Sequence, residues 1–327
     1  MLGFDKREGA SDMDKGKVTI LGSNGHLGHA AMQAFQAAGW AVTGLGRSNR
    51  KPVPGTDFIA GDADDIAVVK AAVAGADVVV NGLHLPYHQW GDGRAERQLQ
   101  GVLDALAGSG KMLMFPGTIY NYRAGDRVVA PDLRQSGEKP RGEIRIRLEQ
   151  MLRAAAEAGD IRVAIIRAGD FFGPGNHDDW FGQAMLMDYA KGRLYHMAAL
   201  DLHHSWAYLP DLGRAFVAVA ERRNSLAAFE NFHFAGHWVS HGQIMAATQS
   251  ALGRKLNVSP LPWWMIGALG LVNPMMRDVY QMRYLWTNEM ELVDPRLDGL
   301  LGPAFTTPFE TAVANAVTDL MAARQAA

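Results

Sequence analysis

Cysteine is absent from this chain of 327 residues. That excludes a disulfide-stapled scaffold, a thiol nucleophile and a zinc site built on thiolates. Charge excess is absent too: 32 Lys and Arg stand against 34 Asp and Glu, for a net −2 and a pI near 6.6. No basic surface calls for nucleic acid, and there is no acidic tail. Long apolar runs are missing. The most apolar late stretch, residues 263–272, covers ten positions, whereas a membrane span needs about 20. That stretch reads as a buried helix or an aromatic pocket wall rather than a surface anchor. Residues 1–16 are polar, lack the apolar segment of a secretory signal, and read as a flexible lead-in. The expectation is a soluble cytoplasmic protein with a small-molecule substrate and no nucleic-acid or membrane partner.

What is present is an ordinary globular balance, 48% hydrophobic and 20% charged, enough for a sizeable core. The length suits two domains, or one large α/β unit with a lobe, at roughly 150 residues per domain. Residues 17–21, 41–43, 57–60, 77–80, 111–115 and 161–166 read as short apolar strands. Residues 27–38, 66–73, 99–106 and 143–158 space their apolar positions as helices between them. Continuously apolar strands alternating with helices predict an α/β fold with a parallel sheet covered on both faces. After Gly173 the rhythm breaks, and an αβ stretch near 205–235 is expected to return to the sheet. The expected plan is a nucleotide-binding domain over 17–175 and a smaller, mainly substrate-binding lobe over 176–327, above the carboxyl ends of the strands.

The sharpest signal is Gly22-Ser23-Asn24-Gly25-His26-Leu27-Gly28, between the first strand and the first helix. Gly22 can turn tightly, Gly25 has no Cβ to keep a pyrophosphate away, and Gly28 lets helix and strand pack closely. The amides opening the helix then face the phosphates. The G-x-x-G-x-x-G spacing resembles the short-chain dehydrogenase/reductase superfamily, in particular its extended, epimerase/dehydratase-like branch. The resemblance spans residues 17–235. It includes Arg167-Ala168-Gly169-Asp170-Phe171-Phe172-Gly173-Pro174, similar to an R-P-x-x-x-Y-G-P segment, and Trp206 to Asp211, similar to an aromatic-x-x-x-Asp segment. It implies a Rossmann-type doubly wound parallel sheet, with dimers common among its members.

The second strand ends Thr43-Gly44-Leu45-Gly46-Arg47-Ser48, without the carboxylate an NAD ribose wants. Arg47, helped by Ser48, suits a 2′-phosphate, so NADP(H) is expected over NAD(H). The resemblance implies that Asp62, next to Ala63, bonds the adenine, and that Asn81, Leu83 and Ala168 line the dinucleotide.

The expected catalytic residues depart from the pattern. Pro140 to Gln150 matches the flanks of P-Y-G-x-x-K-x-x-x-E-Q, but Arg141 holds the tyrosine position and Arg145 the lysine position. The serine position falls on Pro116, with Thr118 the nearest hydroxyl. An arginine effectively never deprotonates, so it cannot replace a tuned tyrosine in proton transfer. Arg145 can hold a ribose or phosphate, and Arg141 can bind a carboxylate or phosphate or stabilise an oxyanion. The plainer alternative is a solvated helix face with a Glu143–Arg147 ion pair. Proton carriers would come from His84, Tyr87 and His88 after the fourth strand, Tyr120 and Tyr122 after the fifth, or Asp170 after the sixth. Tyr87, His88, Tyr122, Asp170, Phe171 and Trp180 are placed on the substrate side. His177, His203 and His204 with Asp178, Asp179 and Asp201 lack metal-site spacing, and no metal is expected. Three readings stand: an atypical NADP(H)-dependent oxidoreductase acting on a small carbonyl, hydroxyl or sugar-like substrate; a nucleotide-sugar epimerase or dehydratase; and a non-catalytic NADP(H)-binding sensor.

Overall fold

A computed structural model describes residues 15–86, 89–175 and 177–326. The expected lead-in, 1–16, lies outside them but for its last two residues. The first half runs β1 (Lys17–Leu21), α1 (His26–Ala37), β2 (Ala41–Gly46), β3 (Asp57–Ala60), α2 (Ile66–Val73), β4 (Val78–Asn81), α3 (Arg94–Leu106), β5 (Met112–Thr118), β6 (Val128–Val129), α4 (Pro140–Glu157) and β7 (Arg162–Ala168). The second half runs β8 (Asp170–Phe172), β9 (Arg193–His196), β10 (His203–Tyr208), α5 (Leu209–Glu221), β11 (Phe229–His233), β12 (His237–Ser240), α6 (His241–Ala251), β13 (Asn257–Pro260), α7 (Trp263–Leu269), α8 (Pro274–Met282), α9 (Tyr284–Thr287), β14 (Glu291–Leu292), α10 (Pro295–Leu301) and α11 (Phe309–Ala326).

Seven strands form one sheet in the order β11-β7-β5-β4-β1-β2-β3, and every pairing in it is parallel. The strands are apolar on both faces because helices cover both. Pleat alternation divides them: Val18, Ile20, Val78 and Val80 face a core with Phe35 of α1 and Phe216 of α5. Val79, Leu113 and Val163 face the opposite core with Leu99 and Val102 of α3 and Leu148 and Leu152 of α4. The sheet is Rossmann-like, and its order reverses between β1 and β4, the switch point where such sheets bind ligands.

After β7 the chain leaves the sheet, and β11 returns to pair with β7. A smaller three-stranded sheet, β12-β10-β8, joins a separate core of Phe172, Phe181, Trp206, Trp286 and Val313. Two expectations need correction. Residues 263–272 are not a buried helix: α7 buries none of its seven residues, although Trp263 does stack on Trp286, 5.6 Å between ring centroids. The Glu143–Arg147 pair of the plainer alternative does not form either, because Arg147 reaches Glu96 of α3 instead, at 2.8 Å.

Candidate active site

A cleft of about 1080 Å³ opens at the switch point, above the carboxyl ends of β1, β2, β4, β5 and β7. Gly22 turns the chain out of β1 with φ +75°, a conformation that disfavours any side chain. A Cβ on Gly28 would lie 2.2 Å from the Gly22 carbonyl oxygen, so α1 can approach β1 this closely only with glycine there. The first helical bond runs from His29 N–H to Gly25 O, 2.9 Å. Amides before it lack intrahelical partners, and Leu27, which carries one of them, lines the cleft. This cradle fits a dinucleotide pyrophosphate by the residues present: among the described residues no side chain fills it, and the helix dipole favours an anion.

The β2 end supplies cations. Arg47, Ser48, Arg50 and Lys51 line the same cleft. Their loop is clamped by Asn24, whose side-chain N–H donates to Ser48 O (2.7 Å) while its Oδ1 accepts from the Arg50 and Lys51 amides (3.0 and 3.2 Å). Burial, followed by the nearby Arg50 charge, pushes the Lys51 amine below its ordinary value, although Asp178 and Asp319 oppose this.

Gly22, Asn24, Gly25, His26, Leu27, Arg47, Ser48, Asp62, Ala63, Leu83 and Ala168 all border the cleft. Ser23, Gly28 and Asn81 do not line it. The Ser23 hydroxyl turns toward Leu45 O (3.4 Å), and Asn81 is buried, accepting from the Leu83 amide at 3.2 Å. Of the substrate and catalytic candidates, His84, Thr118, Tyr120, Arg145, Asp170, Phe171 and Trp180 border it. Tyr87 and His88 lie outside the described residues.

Two candidates stand apart from the cleft. Arg141 does not line it: in the first turn of α4, its guanidinium pairs with Asp278 of α8, both side chains largely buried. Tyr122 is fully buried, and its ring lies under the Arg167 guanidinium, 5.2 Å away. Arg145 does reach the cleft. Its guanidinium donates to Pro116 O, stacks over Phe115 at 4.7 Å and sits 5.9 Å from the Trp90 ring centroid. Contacts of a cation with two rings favour arginine over lysine.

His84 is open to the cleft, but the displacement of water by the surrounding protein, with the Arg145 and His26 charges, lowers its imidazole to about 4. It is neutral at pH 7. Asp179 behaves in the opposite sense. Only 6% exposed, it is pushed up to about 7 by burial, with Asp170 and Asp178 adding repulsion and the Gly182 amide opposing. That amide donates to Oδ1 at 2.6 Å, and Oδ2 has no hydrogen-bond partner among the described residues. Asp170 is spoken for: it accepts from the Trp286 indole N–H and meets His204 Nε2 at 3.0 Å. The other histidines once weighed as ligands are dispersed, His177 to Asp319 (3.2 Å) and His203 to Glu289 (3.4 Å).

Beneath the cleft floor, Arg167 is fully buried and donates to Glu149 Oε2 (2.7 Å), Thr118 O (2.5 Å) and His233 Nε2 (3.1 Å). Burial alone would raise the Glu149 carboxyl, but the Arg167 charge and hydrogen bond more than offset it and hold it low. His233 is kept neutral, near 3, by burial and by Arg167. Its Nδ1 faces Val129 O at 2.9 Å. The network ties β7, α4 and β11 together directly under Thr118.

A family model for the NAD dependent epimerase/dehydratase family matches residues 18–234. The chain belongs to that family. No curated protein matches the chain. Among solved structures, it is similar to UDP-glucose 4-epimerase from Brucella ovis in complex with NAD, at 17% identity over 93% of this chain and 98% of that one, with a TM-score of 0.74. It is also similar to UDP-glucuronic acid 4-epimerase from Bacillus cereus in complex with NAD, at 15% identity over 94% and 99%, TM-score 0.72. A third similar structure, a putative epimerase from Burkholderia cenocepacia J2315, shares 18% identity over 94% and 98%, TM-score 0.73. At these identities the likeness establishes the fold.

In this epimerase/dehydratase family member, sequence reasoning missed Asp179 as a cleft acid, Trp90 as a ring beside the arginines, and Asp278 as the partner of Arg141. Asp179 had only its place shortly after Gly173-Pro174-Gly175 to mark it. Asp278 lies far along the chain from Arg141, and no spacing rule links the two.

Proposed function

We propose that this protein is an NADP(H)-dependent oxidoreductase of atypical epimerase/dehydratase type, acting on a small polar carbonyl or hydroxyl compound, sugar-like in size. One observation carries the reading: a glycine cradle for a pyrophosphate shares its cleft with Arg47, Arg50 and Lys51, and the β2 end bears no carboxylate. Gly22, Gly25 and the Leu27 amide hold the pyrophosphate, Arg47 the 2′-phosphate and Asp62 the adenine side. A bound nicotinamide supplies or accepts the hydride.

The chain's own groups do the rest. Arg145, held between Phe115 and Trp90, presents positive charge at the cleft and orients a ribose or a substrate oxygen. Thr118 offers the nearest hydroxyl. The proton moves through Asp179, whose Oδ2 is unengaged and whose ionisation near 7 suits exchange at neutral pH. His84, neutral there, polarises rather than donates a charge-assisted bond. Trp180 and Phe171 exclude water from one wall. The family assignment and a cleft large for a single small ligand favour nucleotide-sugar epimerisation as the second reading.

Fluorescence titration with NADPH and NADH tests the cofactor assignment. Wild type is expected to bind NADPH more tightly. Arg47→Asp should lose roughly 10- to 100-fold in NADPH affinity, the range of a charge-assisted contact, with NADH binding spared. Equal affinities for both cofactors in wild type would overturn it.

A further inference from the structure

Six of the ten large apolar side chains that stand exposed among the described residues fall in the hairpin of α7 and α8: Trp264, Met265, Leu269, Leu271, Val272 and Met275. Leu271 and Val272, at the tip, are 86% and 84% exposed, and Trp264 is 77% exposed. The hairpin is nevertheless tightly shaped. A Cβ on Gly267 would lie 2.9 Å from the Tyr280 ring, and one on Gly270 the same distance from the Arg277 Cα. Asn273 caps α8, accepting from the Met275 and Met276 amides at 2.9 and 3.3 Å. The helices meet through glycine, so the large apolar side chains are left on the outside. An exposed apolar patch this concentrated marks an interaction surface.

Charge identifies the occupant. Residues 256–276 contain no Asp, Glu, Lys, Arg or His. Exposed Arg277 follows the stretch and backs onto Gly270, and the Arg283 guanidinium lies over the Tyr280 ring, 4.1 Å from its centroid. Between Lys255 and Arg283 the only carboxylate is Asp278, and its charge is committed to Arg141. The hairpin thus presents an uncharged tip with a positive rim, the pattern of an element that lies in the interface of an anionic bilayer. Indole rings favour that boundary. Two copies of this face would set Arg277 against Arg277, and the one carboxylate between Lys255 and Arg283 is already paired with Arg141. At 1.5 Å per residue, the seven residues of α7 cannot span, and among the described residues no helix is long and apolar enough to cross a membrane.

We propose that the α7–α8 hairpin seats this protein on an anionic lipid surface, with Trp264, Leu271 and Val272 entering the boundary between headgroups and acyl chains. The sequence reading set a surface anchor for residues 263–272 below a buried helix or an aromatic pocket wall; the exposure of Trp264, Leu271 and Val272 reverses that order.

Co-sedimentation of the full chain with sucrose-loaded vesicles tests this, using phosphatidylcholine alone and phosphatidylcholine with one part in three phosphatidylglycerol. Wild type should partition onto the anionic vesicles, less onto the neutral ones, and less at high salt. The double variant Leu271→Asp/Val272→Asp should bind at least roughly tenfold more weakly, with thermal unfolding and NADPH titration unchanged. Trp264→Ser should weaken binding in the same direction. Wild type left in the supernatant with both vesicles overturns the proposal, as does equal binding by wild type and the double variant. A concentration-dependent dimer in ultracentrifugation that the double variant abolishes, without vesicle binding, assigns the face to a second copy and overturns it as well.

Discussion

Replacing Asp179 by asparagine should make the fold more stable above neutral pH and leave it unchanged in acid. The carboxyl ionises at an ordinary 3.8 when the chain is unfolded and at about 7 in the fold. Between those values the folded state holds a proton that the unfolded state has released, so stability falls as pH rises. The contribution is complete below 3.8 and lost once pH passes about 7. A gap of that width corresponds to about 4 kcal/mol. Water reaching Oδ2 from the cleft lowers the figure toward the roughly 2 kcal/mol typical of buried polar groups. Asparagine keeps an oxygen to accept the Gly182 amide, so the hydrogen bond that anchors the side chain survives. Urea unfolding of wild type and Asp179→Asn from pH 4 to 9 gives the assay. The difference between the two curves should open from near zero at pH 4 to about 2–4 kcal/mol at pH 8. Parallel curves would refute the reasoning, because they would mean the carboxyl ionises in the fold as it does in water.

The remaining predictions concern the scaffold. Gly28→Ala places a methyl 2.2 Å from the Gly22 oxygen; it should abolish NADPH-dependent fluorescence change and cost about 1–3 kcal/mol of stability, and wild-type cofactor affinity in that variant would sink the cradle argument. Glu149→Gln leaves the Arg167 charge buried without its partner and should cost about 3–5 kcal/mol by urea unfolding. Because the Glu149 carboxyl is held low in the fold, its contribution is present above the ordinary carboxylate range and lost as pH falls. Wild type should therefore lose stability in acid that the variant does not have to lose.

The parallel sheet was legible because its strands are apolar throughout and its turns are punctuated by glycine; Gly22 and Gly28 are required by local geometry, which a sequence displays. The helix over 143–158 was placed three residues late, since Pro140 begins α4 at its first turn. That shift matters, for it sets Arg141 at the helix start beside Asp278. The positions of Arg141 and Arg145 could be counted along the chain, but their separate fates could not. One is engaged by a carboxylate more than a hundred residues away and the other by two aromatic rings, and both partnerships are tertiary. Residues 263–272 misled for a related reason: apolar composition reports a tendency to leave water, and the tightly turned hairpin leaves Trp264, Leu271 and Val272 exposed among the described residues.

The Arg141–Asp278 bridge also constrains how this molecule can change. A tyrosine placed at 141 would leave Asp278 a largely buried anion without its counter-charge, and loss of Asp278 alone would do the same to the guanidinium. Either intermediate is disfavoured, so the two positions are locked as a pair. Exchange at either position therefore favours a paired change over a single one.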